Sequence, residues 1–85
     1  MHSIVFTQRG LRELKALPFD IQRRIVAKLR WIGDLPNPLV VAKPLVNLPP
    51  ATHRFRIGNY RVSFYLAHHT IFVERVELRG QAYGR

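Results

Sequence analysis

The chain has 85 residues and no cysteine. That absence excludes a disulfide framework and a thiolate metal site, so a domain this small must rely on packing or on a partner. A reducing compartment suits it, and the expected location is the cytoplasm. Long apolar runs are also missing. No stretch approaches the roughly eighteen residues that a membrane-crossing helix needs, and MHSIVFTQRGLRE has no basic segment leading into an apolar one. The expectation is a soluble, unexported protein. Acidic residues are scarce, with five Asp and Glu against fourteen Lys and Arg, a formal charge of +9. An excess above the roughly 2 to 8 usual for a small domain favours a polyanion or an acidic protein as partner. Eleven of the fourteen cations are Arg. The planar guanidinium binds phosphate and carboxylate through two hydrogen bonds, which suits nucleic acid.

Several chemistries lack their residues. The four histidines, at positions 2, 53, 68 and 69, have no carboxylate or thiol at ligand spacing, so no metal and no cofactor is expected. There is no phosphate-binding loop, dinucleotide fingerprint or nucleophile elbow. Glu74 and Glu77 would stand on opposite faces of a regular strand, which argues against a glycosidase-like pair. His68-His69 reads as an exposed polar turn.

What is present is periodic. Ser3 to Phe6 is short, apolar and β-branched, as in a strand. Thr7 is placed to cap a helix over 8–16, where Leu11, Leu14 and Leu17 recur at threes. Pro18 and Asp20 suit the first turn of a second helix over 19–32, whose stripe is Ile21, Ile25, Leu29 and Ile32. Residues 34–50 hold five of the six prolines and read as a connecting loop. Three strands follow, His53 to Ile57, Tyr60 to Ala67 and Thr70 to Leu78, joined at Gly58-Asn59 and His68-His69. The last, TIFVERVEL, is apolar on both parities, which suggests a well-covered position. The predicted fold is a single α+β domain over 1–85 in the order β-α-α-β-β-β. Its two-helix hairpin packs on one face of a curved, largely antiparallel, four-stranded sheet.

The stretch HRFRIGNYR, from His53 to Arg61, raises a conflict within that scheme. A two-residue turn at Gly58-Asn59 pairs Ile57 with Tyr60, Arg56 with Arg61, Phe55 with Val62 and Arg54 with Ser63. Arg54, Arg56 and Arg61 then share the face away from the helices, together with Ser63 and Tyr65. Like charges placed opposite each other destabilise a sheet unless an anion or solvent screens them. A local conflict of this kind marks a candidate functional surface. Individually, Arg54 and Arg56 also fit solvated strand positions, and Arg61 fits an ion pair with Glu74.

The element order, the opening IVFTQRGLRELKALP, the HRFRIGNYRVSFYL hairpin and a late Arg79-to-Tyr83 spacing together resemble the RelE/ParE superfamily of type II toxin–antitoxin toxins, over essentially the whole chain. The resemblance implies a RelE-like fold and one of two activities. RelE-like members are ribosome-dependent mRNA endoribonucleases, whereas ParE-like members poison DNA gyrase and lack the catalytic set. That set matches here residue by residue: Arg54 and Arg56 fit the basic pair, Arg61 the Arg after the turn, and Arg79 and Tyr83 the late pair. The match implies Arg61, Arg79 and Tyr83 as catalytic residues. RNA-binding roles fall to Arg54, Arg56, Lys43 and Arg85, and the expected partners are a cognate antitoxin, the ribosome and mRNA. The basic pair is Arg where Lys is frequent, which keeps the charge and changes the donor geometry. Arg79 has the parity of the helix-facing residues, so its role requires the strand to end near Leu78 or a bulge to re-aim it. A gyrase poison and a non-catalytic RNA-binding module remain as alternatives.

Overall fold

The computed structural model describes residues 1–78. Strand β1 (Ser3–Phe6) leads into helix α1 (Gln8–Lys15) and then helix α2 (Phe19–Gly33). A 3-10 turn at Pro38–Val41 precedes β2 (Lys43–Pro44), β3 (His53–Ile57), β4 (Tyr60–Ala67) and β5 (Thr70–Leu78). The strands form one sheet in the order β1-β5-β4-β3-β2, parallel between β1 and β5 and antiparallel elsewhere. The element order, both helices and the four longer strands agree with the sequence-based expectation. Among the described residues, no helix is long and apolar enough to cross a membrane.

The sheet has five strands rather than the four expected. The added one is β2, which lies inside the proline-rich stretch and pairs Lys43 with Arg54 and Pro44 with His53. Proline is tolerated there because the strand is at the edge, where a missing N–H breaks no ladder. Asn37 also organises this stretch, its side-chain oxygen accepting the Leu39 N–H at 3.1 Å as Pro38 opens the 3-10 turn.

Each helix starts where its sequence provides a cap. The Thr7 hydroxyl accepts the Gly10 N–H at 3.1 Å and donates to the Val73 carbonyl at 3.1 Å, so one side chain starts α1 and fixes it to β5. Pro18 stands at the start of α2 with Asp20 in its first turn. Leu14 of α1 and Ile25, Leu29 and Ile32 of α2 pack on Phe55, Val62, Phe64, Ile71 and Val73 from the sheet, forming the core.

Strand β1 stops at Phe6, which leaves the far half of β5 without a strand on that side. Helix α1 fills the lane. It approaches so closely that a Cβ on Gly10 would lie 2.2 Å from the Val73 carbonyl oxygen. One turn further on, the Glu13 carboxylate accepts the Val76 N–H at 2.7 Å, replacing the missing ladder bond.

Strand β5 carries a β-bulge. Ser63 pairs with Arg75 but Phe64 with Val73, so Glu74 has no partner on β4. The extra residue reverses the alternation. Ile71 and Val73 are buried before it and Val76 after it. Simple parity therefore does not relate Glu74 to Glu77, contrary to the expectation from a regular strand.

Candidate nucleic-acid interface

The β3–β4 turn builds the centre of the site. Gly58 has φ +60°, and Asn59 is not among the residues of positive φ, the pattern of a turn with glycine at its first central position. The register is the expected one, with Arg56 opposite Arg61, Phe55 opposite Val62 and Arg54 opposite Ser63. At the other end of β4, His68 and His69 both adopt positive φ, 52° and 56°. Such a turn matches the twist of the flanking strands, and histidine tolerates that backbone region better than a β-branched residue does.

Carrying the register across the sheet produces two charged rows. One runs Arg56, Arg61, Glu77; the next runs Lys43, Arg54, Ser63, Arg75. Tyr65 follows on β4 and stacks on its cross-strand neighbour Phe72, with ring centroids 4.9 Å apart and planes at 13°. Arg56 is exposed, Arg54 and Arg61 are half-buried, and Ser63 is fully buried. Lys43, Arg54 and Arg56 line a cavity of about 360 Å³ beside Val41.

Arg61 stands opposite Glu77, not Glu74, because the bulge shifts β5 by one residue. The conflict between Arg56 and Arg61 is thus offset on the far side by a carboxylate, itself held in a network. Glu77 Oε2 accepts from Arg75 Nη2 at 2.7 Å, and Arg75 Nε donates to Glu13 Oε2 at 3.0 Å. A chain of alternating charge therefore runs from α1 to the sheet: Glu13, Arg75, Glu77. Buried charges are tolerated when paired in this way. Sequence reasoning missed Glu13 and Arg75. Glu13 also pairs with Arg9 one turn away at 3.6 Å, and nothing in the sequence ties it across to β5.

Of the expected site residues, Lys43, Arg54, Arg56 and Arg61 come together in adjoining rows of one sheet. Arg79, Tyr83 and Arg85 lie outside the described residues. Of the two alternatives set for Arg79, the described residues show a bulge in β5, at Glu74. Among the described residues, no group of three or more His, Asp or Glu is placed to hold a metal ion.

Solved structures share this fold across nearly the whole chain. The RelBE2 toxin–antitoxin complex from Mycobacterium tuberculosis matches with a TM-score of 0.73 and 30% sequence identity, covering 92% of this chain and 98% of that one. This chain belongs to the RelE-like toxins. A RelB–RelE antitoxin–toxin complex from Methanococcus jannaschii matches at 26% identity and a TM-score of 0.67, covering 94% of this chain and 95% of that one. The E. coli RelBE complex, at 19% identity and a TM-score of 0.69 over 89% and 94% of the two chains, shares the fold. No family model matches, and no curated protein does. The RelE-like assignment thus rests on the structural match at 30% identity together with the arginine hairpin.

Proposed function

We propose that this RelE-like chain is the toxin of a type II toxin–antitoxin pair and cleaves mRNA in the ribosomal A site. The observation that carries the reading is the direct Arg56–Arg61 pair, with Arg54 and Lys43 in the next row, on the sheet face opposite the helices. Cations set side by side in this way suit an anion that bridges them.

RNA cleavage of this kind needs a 2′-hydroxyl in line with the phosphorus, charge stabilisation on the phosphoryl oxygens, and help for the departing 5′-oxygen. In this reading Arg61 binds the phosphoryl oxygens, while Arg54, Arg56, Lys43 and Arg85 hold the strand. Tyr83 orients the 2′-hydroxyl and Arg79 acts near the leaving oxygen. Neither a guanidinium nor a phenol is an efficient general base, so positioning and electrostatics outweigh proton transfer. Little activity on free RNA follows, because the ribosome supplies the remaining geometry.

The relatives from M. tuberculosis and M. jannaschii are complexes with antitoxins. By the same reading, this chain pairs with an antitoxin whose wrapping segment is acidic, works in the cytoplasm, and needs no small-molecule cofactor and no membrane. Primer extension on mRNA under translation tests the enzymatic claim. The expected result is new ends at A-site codons, lost in Arg61→Ala and reduced at least about tenfold in Tyr83→Phe. Intact mRNA with normal translation would overturn it and point to the gyrase-poison alternative.

A further inference from the structure

A second groove lies round the edge of β3, on the helix side. It has a volume of about 540 Å³, and its walls include Arg24, Lys28 and Trp31 of α2 and Arg56 and Gly58 of the hairpin. Among the described residues, no carboxylate lines it. The chain's single tryptophan, Trp31, is 51% exposed, and the Lys28 ammonium lies 4.7 Å from its ring centroid. Arg24 reaches the turn, where a Cβ on Gly58 would meet its guanidinium at 3.2 Å. Glycine at this position thus meets two needs, the left-handed turn and the room for Arg24.

Arg56 lines both this groove and the Lys43–Arg54 cavity on the open face. Between them, β2 covers only His53 and Arg54, and among the described residues no strand pairs with the outer edge of Phe55, Arg56 or Ile57. Five cations, Lys43, Arg54, Arg56, Arg24 and Lys28, therefore follow one path round the sheet edge and end at an exposed indole. A compact anion would use one or two of them; a linear polyanion uses them all. An acidic protein segment answers the same cations but has no flat base to lay on Trp31, the one large exposed apolar side chain among the groove's described residues, over which a cation already lies. Spaced cations leading to an aromatic platform suit single-stranded nucleic acid.

We propose that single-stranded RNA leaving the open face passes the edge of β3 at Arg56 and enters the α2 groove, its phosphates on Arg24 and Lys28 and a base on Trp31. This extends the RNA-binding reading of the open face and rests on it. The single tryptophan makes the groove its own reporter. The probe is a 2′-O-methyl oligouridylate twelve nucleotides long, which has no free 2′-hydroxyl for cleavage. Its binding is followed by Trp31 fluorescence and, through an end label, by anisotropy.

The expected result is quenching on binding, with affinity falling about a hundredfold between roughly 50 and 200 mM salt if five phosphates are neutralised. Replacing Arg24 and Lys28 together by alanine should change the slope of log affinity against log salt from about −3.5 to about −2. Far-ultraviolet circular dichroism checks that the variant is folded. Trp31→Ala, read by anisotropy, should weaken binding at least about fivefold, as expected for loss of a stacked base. Binding by anisotropy with silent fluorescence and an unchanged slope in the double variant would overturn the track while leaving the open face intact. No binding by either readout would overturn the track, while the open-face reading stands or falls separately on the primer extension. Equal quenching by a polyglutamate peptide of matched charge would overturn RNA as the occupant.

Discussion

At the scale of single residues, Gly10 shows how a backbone contact dictates an amino acid. Its Cα sits against the Val73 carbonyl in a helix, where alanine would otherwise be favoured by about 1 kcal/mol. A methyl group 2.2 Å from that oxygen must push α1 off β5, at about 2–3 kcal/mol by analogy with overpacked cores. Gly10→Ala is therefore expected to lose about 1–2 kcal/mol net and to melt about 5–15 °C lower, measured by thermal denaturation. An unchanged or raised melting temperature would show that α1 slides freely on the sheet. Glu13, one turn later, depends on the same approach, since its carboxylate reaches Val76 N–H and Arg75 together.

At the scale of elements, the bulge in β5 decides which side chains share the arginine face. It places Glu77 opposite Arg61, and it keeps Val76 in the core after Val73. Deleting Glu74 removes the extra residue and leaves a regular strand in which Val73 and Val76 still face the core and Glu77 still stands opposite Arg61. The expected outcome is a retained cooperative urea transition, followed by circular dichroism; its loss would mean that the fold needs the bulge itself. The helices and four strands were legible in the sequence because each repeats a period several times, as Ile21, Ile25, Leu29 and Ile32 do, or ends in a turn dipeptide such as Gly58-Asn59. Of three features that organise the site, two were not and one was so only in part. Two residues of β2 are too few to show a period, and Glu13 acts across a contact that only the folded chain makes. The third was visible but ambiguous, since TIFVERVEL is apolar on both parities because its inward set switches from odd to even positions at the bulge.

At the scale of the molecule, the sheet holds the arginine rows rigid from behind while leaving their front open. Val62 and Phe64 are fully buried behind those rows, so the cations stand on a packed floor. The outermost piece of that frame is β1, which contributes Ile4 and Phe6 to the core margin and delivers Thr7 to Val73. Removing residues 1–6 is expected to abolish cooperative unfolding, because it strips β5 of its only parallel neighbour among the described strands; a truncated chain with an intact thermal transition would refute this. The parallel pairing has a further consequence for how the protein comes into being. Ser3 meets Thr70 and Phe6 meets Val73, so the first strand described waits for the last. Contacts this distant in sequence form late and slowly. A nascent chain with this topology has no finished sheet until translation has passed β5: its frame closes only when the last described strand has been made.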